Sequence, residues 1–178
     1  ILTKSEECID LQPLNEYGKS KLLGEKQVKR YCSNYIIIRT NIFGLSVKPG
    51  KVSSAEWIYN SLIKGEEITL FTDYLFSPIF TEALAKIILL LININFSGTI
   101  NIGSPEACSK YDFGMTLAEK FGFDKSLILK GLMKNHEFSA KRSQTLSLNT
   151  NQISDLKINI PNWSQSIEMF YKKLSQLK

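Results

Sequence analysis

Apolar and polar positions fall into short blocks whose period changes along the chain. Residues 1–14 are polar and irregular, ending in Gln12-Pro13-Leu14. Asn15 then stands where a helix cap is needed, and Leu22, Leu23, Val28 and Tyr31 follow at loose helical spacing, so a helix is expected to about Ser33. Tyr35-Ile36-Ile37-Ile38-Arg39-Thr40 is an almost unbroken apolar run, the pattern of a strand covered on both faces of a parallel sheet. A helix feeding such a strand is half of a βαβ unit.

Residues 44–50 read as a loop between two glycines. Ser53 and Glu56 have capping-box spacing and open a helix through Trp57, Ile58, Leu62 and Ile63 that stops at Gly65. Glu67 to Phe71 reads as a strand, Thr72 to Pro78 as a loop, Thr81 to Ile92 as an amphipathic helix, and Thr99 to Ile102 as a short strand closed by Gly103. Ser109 with Asp112 caps a helix to about Phe121, which Gly122 stops. Residues 123–149 are mixed, with an extended piece at 145–148. Thr150 opens a short helix to about Asp155, and Pro161 precedes a last helix from about Ser164 to Leu177. Strands alternating with helices predict an α/β fold. No repeat, low-complexity tract or glycine-rich GxGxxG phosphate loop is present.

Composition narrows the choice of function. With 178 residues, 43% hydrophobic and 22% charged, the chain can bury a sizeable core as one domain or two small units. The formal charge of +5 comes mostly from dispersed lysines, the only arginines being Arg30, Arg39 and Arg142. That dispersal argues against a nucleic-acid-binding module, and suits an anionic small ligand as well as an ordinary surface. Cys8, Cys32 and Cys108 are scattered and read as reduced thiols in a cytoplasmic protein. The single histidine, His136, excludes a two-histidine metal site and reads as a surface or loop residue. The longest apolar run, 87–92, is far too short for a membrane span, which takes about 20 residues. The start Ile1-Leu2-Thr3-Lys4 has neither an initiator methionine nor a signal-peptide layout, as in a chain cut from something longer.

The stretch that carries chemistry is Tyr17-Gly18-Lys19-Ser20-Lys21, continuing to Gly24-Glu25. Tyr17 and Lys21 are four residues apart at the start of a helix and share a face. An ammonium and a helix N-terminus beside a phenol both favour its ionised form. A tyrosine placed so is a proton donor or acceptor for a carbonyl or alcohol oxygen. Tyrosine and lysine at this spacing also arise by chance in lysine-rich helices, and the surrounding residues decide the matter.

Pro13-Leu14-Asn15-Glu16-Tyr17-Gly18-Lys19-Ser20-Lys21 resembles the active-site segment of extended short-chain dehydrogenases/reductases, most closely the dTDP-4-dehydrorhamnose reductase-like proteins. Weaker matches follow in order: Ile38-Arg39-Thr40, Phe71-Thr72-Asp73 with Ser77-Pro78, and Ala140-Lys141-Arg142 before Leu146-Ser147-Leu148-Asn149. The resemblance implies the C-terminal part of a Rossmann-type NAD(P)-binding fold over residues 1–44, joined to a small α/β substrate-binding domain over 45–178. It further implies Tyr17 as general acid, Lys21 as its ribose-binding partner, and Thr40 and Asn41 beside nicotinamide and sugar. Arg142 would grip the substrate diphosphate. The cofactor is NADP or NAD, the substrate a nucleotide sugar, and a homodimer is expected.

Two departures bear on the reading. The family's glycine-rich dinucleotide loop, and the Ser or Thr that precedes its tyrosine by some twenty residues, are not in these 178 residues; Thr3 and Ser5 do not replace the latter. Asn41-Ile42-Phe43-Gly44 resembles the pattern of nucleotide-sugar epimerases and dehydratases, where the reductases usually carry a tryptophan. Three functions are therefore carried forward: a reductase of 4-keto nucleotide sugars, a nucleotide-sugar epimerase or dehydratase, and a non-catalytic nucleotide-sugar-binding or regulatory relative.

Overall fold

The computed structural model describes residues 12–177; Cys8, Thr3, Ser5 and most of the polar start lie outside them. In chain order the elements are α1 (Glu16–Tyr31), β1 (Ile36–Phe43), α2 (Ser54–Ile63), β2 (Ile68–Phe71), β3 (Leu75–Phe76), β4 (Pro78–Phe80), α3 (Thr81–Asn93), β5 (Gly98–Ile102), β6 (Cys108–Ser109), α4 (Lys110–Phe121), β7 (Ile128–Gly131), β8 (Thr145–Leu146), α5 (Asn151–Asp155) and α6 (Trp163–Gln176). No helix of the described residues is long and apolar enough to cross a membrane.

Three small sheets organise them. The first is parallel, in the order β4-β1-β5: Ile36 to Thr40 lie beside Gly98 to Ile102, and Asn41 to Phe43 beside Pro78 to Phe80. The second pairs β2 with β7 in parallel. In the third, β3 sits between antiparallel β6 and parallel β8. The sequence reading missed β3, β4, β6 and β7. The first two are only two and three residues long and are separated by Ser77, so no period can be read from them. Pro78 opens β4, an edge strand of this sheet among the described residues, and both the edge and the first position tolerate a proline.

Helix boundaries were legible because their chemistry is local. Ser53 with Glu56 and Ser109 with Asp112 form full capping boxes, and Gly122 ends α4 in the left-handed conformation at φ 70°. Asn162 rather than Pro161 sets the start of α6, through a reciprocal cap with Gln165. Thr150 precedes α5 without a side-chain cap bond.

Apolar burial forms two clusters. One packs α3 and α5 on the first sheet, through Ile79, Ile87, Leu91, Ile100, Ile102 and Ile153. The other joins α2, α4, α6, β2 and β3 through Ile58, Leu70, Phe76, Leu117, Ile167 and Phe170. Phe43, the last residue of β1, carries the sheet into the second cluster. Its ring meets Phe113 edge-on at 4.9 Å and lies 5.9 Å from Phe80 and 6.0 Å from Phe170. Phe43→Ala is expected to cost about 3–5 kcal/mol in urea unfolding, and a loss below about 1 kcal/mol would show that this junction does not hold the two clusters together.

Candidate functional site

Helix α1 is well ended but scarcely buried. Asn15 Oδ1 accepts from the Gly18 amide at 2.9 Å, Glu16 lies in the positive first turn, and Lys29 and Arg30 lie in the last turn. No α1 residue is fully buried. Gly18, Leu22 and Glu25, one helical stripe, are half-buried against the rest of the chain. Gly18 allows the close approach: a Cβ there would stand 2.8 Å from Cβ of Pro13. Tyr17, Lys21, Gly24, Val28 and Tyr31 form a neighbouring exposed stripe, with Tyr17 72% exposed. Lys21 Nζ lies 5.4 Å from the centroid of the Tyr17 ring and forms no ion pair among the described residues. The geometry thus keeps phenol and ammonium together on open surface.

What orients the helix is polar. Arg39, on β1, donates from Nε to Glu25 Oε1 at 2.9 Å and from its terminal nitrogen to Oε2 at 2.7 Å. The two side chains are only 12% and 16% exposed, so this is a largely desolvated, bidentate pair. Strand alternation turns Arg39 toward α1 and Thr40 to the opposite face. Thr40 Oγ1 is buried and has no hydrogen-bond partner among the described residues, leaving a polar atom available to a ligand. Asn41 Oδ1 accepts from the Ser77 amide at 3.0 Å, and Ser77 Oγ accepts from the Leu148 amide at 3.1 Å. Asn41 thereby anchors the β3–β4 junction.

A cleft of about 450 Å³ lies beside the start of α1, between Leu14 and the segment from Met133 to Gln144. Lys134, Lys141 and Arg142 supply cations with no ion-pair partner among the described residues, and His136 and Phe138 supply aromatic surface. The Arg142 guanidinium stacks 4.7 Å from the Phe138 centroid, and the Phe138 ring is 4.6 Å from His136 and 6.1 Å from Phe71. Asp73 fixes the wall by accepting from the Met133 amide at 2.5 Å, the Lys134 amide at 3.2 Å and Gln144 Nε2 at 3.4 Å. Partial desolvation pushes the Asp73 carboxyl up, but these amides and the Lys134 charge outweigh it and hold it below the ordinary value. A cationic, aromatic cleft of this kind suits an anionic aromatic ligand.

The structure therefore brings Tyr17 to Lys21, and brings the start of α1 to the Arg142 segment, through a bond from Asn15 Nδ2 to the Lys141 carbonyl at 2.8 Å. Thr40 and Asn41 lie on β1, away from the cleft lining. His136 is exposed and in a loop, as expected, yet it also lines the cleft. Its spacing with Lys134, Phe138 and Arg142 was the available signal. Lys110 was also missed: its ammonium lies 3.7 Å over the Phe76 ring, and burial lowers its pKa to about 8.

Two outcomes test this geometry. Arg39→Met strands Glu25 and is expected to cost about 2–5 kcal/mol, whereas Arg39→Met with Glu25→Leu costs less; equal losses in denaturant melts would show that the pair does not anchor α1. Asp73 has a depressed folded-state pKa, so its stabilisation is present above about pH 4 and fades as pH falls through the folded value. The stability gap between the wild type and Asp73→Ala should close on acidification; a gap that stays constant from pH 7 to pH 3 would rule the Asp73 clamp out.

The chain is similar to known proteins. The family model for the RmlD substrate binding domain matches residues 3–176. The "Probable low-salt glycan biosynthesis reductase Agl14" of Haloferax volcanii is 29% identical over 150 residues, covering 83% of this chain and 50% of that protein. Methionine adenosyltransferase 2 subunit beta of Danio rerio is 23% identical over 154 residues, covering 83% and 48%. The structure of dTDP-4-dehydrorhamnose reductase from Bacillus anthracis in complex with NADP superposes with a TM-score of 0.84 at 24% identity, over 94% of this chain and 58% of that one. The chain spans about half the length of the curated relatives it matches. Its architecture is the α/β fold of Rossmann-type reductases, and the chain belongs to the RmlD substrate binding domain family.

Proposed function

We propose that this chain is the substrate-binding, proton-donating half of an NAD(P)-dependent reductase acting on the 4-keto group of a nucleotide sugar. Residues 1–44 would belong with the dinucleotide-binding half, and 45–178 would form the substrate domain, with β4 and β5 crossing back to β1. The observation that carries the reading is the Tyr17–Lys21 pair at the start of a helix tied directly to the wall of a cationic, aromatic cleft. Two further features support it. Among the described residues Ile36–Thr40 pairs along one edge only, which leaves room for another parallel strand. The stripe of α1 that bears Tyr17 is bare.

Each residue has a definite task in this reading. Arg142, helped by Lys141 and Lys134, holds the substrate diphosphate, while Phe138 and His136 offer apolar surface beside it. That places the sugar toward the start of α1. Tyr17 gives its phenolic proton to the oxygen of the former carbonyl as that oxygen gains negative charge. Lys21 keeps the phenol oriented and holds ribose hydroxyls of the cofactor. A nicotinamide cofactor, NADPH or NADH, supplies the hydride when bound. Lys21 and the partnerless Thr40 hydroxyl are polar groups of the kind such a cofactor engages.

The relative named as an adenosyltransferase subunit favours a second reading, a nucleotide-sugar-binding or regulatory subunit that keeps the fold without turnover. The two are separated by titrating NADPH and NADH against this chain and against a polypeptide that joins it to its dinucleotide-binding half. That polypeptide is then assayed with 4-keto nucleotide sugars. The reductase reading expects cofactor binding only by the longer protein, and Tyr17→Phe should lower turnover at least about 100-fold with binding retained. Binding without turnover in the wild type would favour the regulatory reading, and absence of cofactor binding would sink the reductase.

A further inference from the structure

We infer that Asn15 is a positioning residue that sets the distance between the Tyr17–Lys21 pair and the cationic wall of the cleft; this rests on the reductase reading above. One side chain makes both bonds. Oδ1 accepts from the Gly18 amide at 2.9 Å and so caps α1, while Nδ2 donates to the Lys141 carbonyl at 2.8 Å, across 126 residues of sequence. The two partners fix the orientation of the amide. Turned over, its NH₂ would face the Gly18 N–H and its oxygen the Lys141 carbonyl, two repulsive contacts.

The placement gives this bond leverage. Asn15 is two residues before Tyr17, and Lys141 is the neighbour of Arg142. The tie therefore joins the segment that meets the reacting oxygen to the segment that meets the diphosphate. A nucleotide sugar has to satisfy both at once, and slack between them is lost both in binding and in the fraction of productive poses. Helix α1 has little else to fix its N-terminal end. None of its residues is fully buried, and the Glu25–Arg39 pair acts two turns further along, about 12 Å from Tyr17. Capping alone does not call for asparagine, since Asp and Ser cap as well. Asparagine differs from aspartate in having an N–H to spare, and here that N–H is used.

This difference supplies the test. Asn15→Asp keeps an acceptor for the Gly18 amide, with a charge that suits a helix N-terminus, but has no proton for the Lys141 carbonyl. Asn15→Ala loses both bonds. In hydrogen–deuterium exchange on this chain, Asn15→Asp should leave residues 18–23 protected as in the wild type while residues 139–144 exchange faster; Asn15→Ala should speed up both. In the polypeptide that includes the dinucleotide-binding half, Asn15→Asp should raise KM for the nucleotide sugar about tenfold with affinity for NADPH unchanged. The inference is overturned if Asn15→Asp matches the wild type in exchange at 139–144 and in KM. It is also overturned if Asn15→Asp and Asn15→Ala are indistinguishable in both regions, since the cap alone would then explain the residue. Should the wild-type polypeptide turn nothing over, the reductase reading fails on its own, and the exchange comparison still decides whether the tie exists.

Discussion

The Arg39–Glu25 pair is the contact on which the candidate site depends most heavily. A helix with no fully buried residue, whose only half-buried apolar side chain is Leu22, has little hydrophobic reason to sit at one rotation on a sheet. Here the orientation comes from a forked, largely desolvated ion pair, whose geometry tolerates little rotation of α1. The arrangement leaves the other stripe of α1 free to display Tyr17 and Lys21. A conventional amphipathic helix of this length would have its apolar stripe committed to the core and would pack with much less dependence on one pair.

The remainder of the molecule is a rigid mounting for two surfaces. The first sheet holds β1, from which Arg39 reaches α1. The segment from Met133 to Gln144, which forms the cleft wall, is held by Asp73 and by the bond from the Leu75 amide to the Gln144 carbonyl, next to Phe76 of the second cluster. Phe43 joins the two through its contacts with Phe113, Phe80 and Phe170, so the surfaces stand at a set distance. Asp73 and Asn41 act as local pegs, each spending side-chain oxygens on backbone amides of another segment.

What could be read from the sequence followed the range of the forces involved. Helix caps at Ser53, Ser109 and Asn15 act over three residues, and their spacing was visible. The run at 35–40 announced a doubly covered parallel strand. Strands β3, β4, β6 and β7 are short pieces of two to four residues whose pairing partners lie far away in the chain. Likewise Tyr17 and Lys21 share one helical face and were found together, and Arg142 was noticed through resemblance. Lys110 takes its surroundings from Tyr74 and Phe76, far away in the chain, and His136 and Phe138 meet Phe71 only in the fold. Arg39 could be placed on a strand, but that its partner is Glu25, on the helix carrying Tyr17, required the fold.

The pairing of β1 with β5 also sets a timetable. Tyr35 and Ser97, which bond at the mouth of this pairing, are 62 residues apart, and the parallel register continues to Ile102. Closing so long a loop is slow compared with forming a hairpin or a helix. Asn41 to Phe43 can pair with β4 once residue 80 has been made, but Ile36 to Thr40 gain their β5 partner only when the chain has passed residue 102. Until then the edge of Ile36, Ile37 and Ile38 that β5 will cover stays unpaired, beside the helix that bears Tyr17 and Lys21.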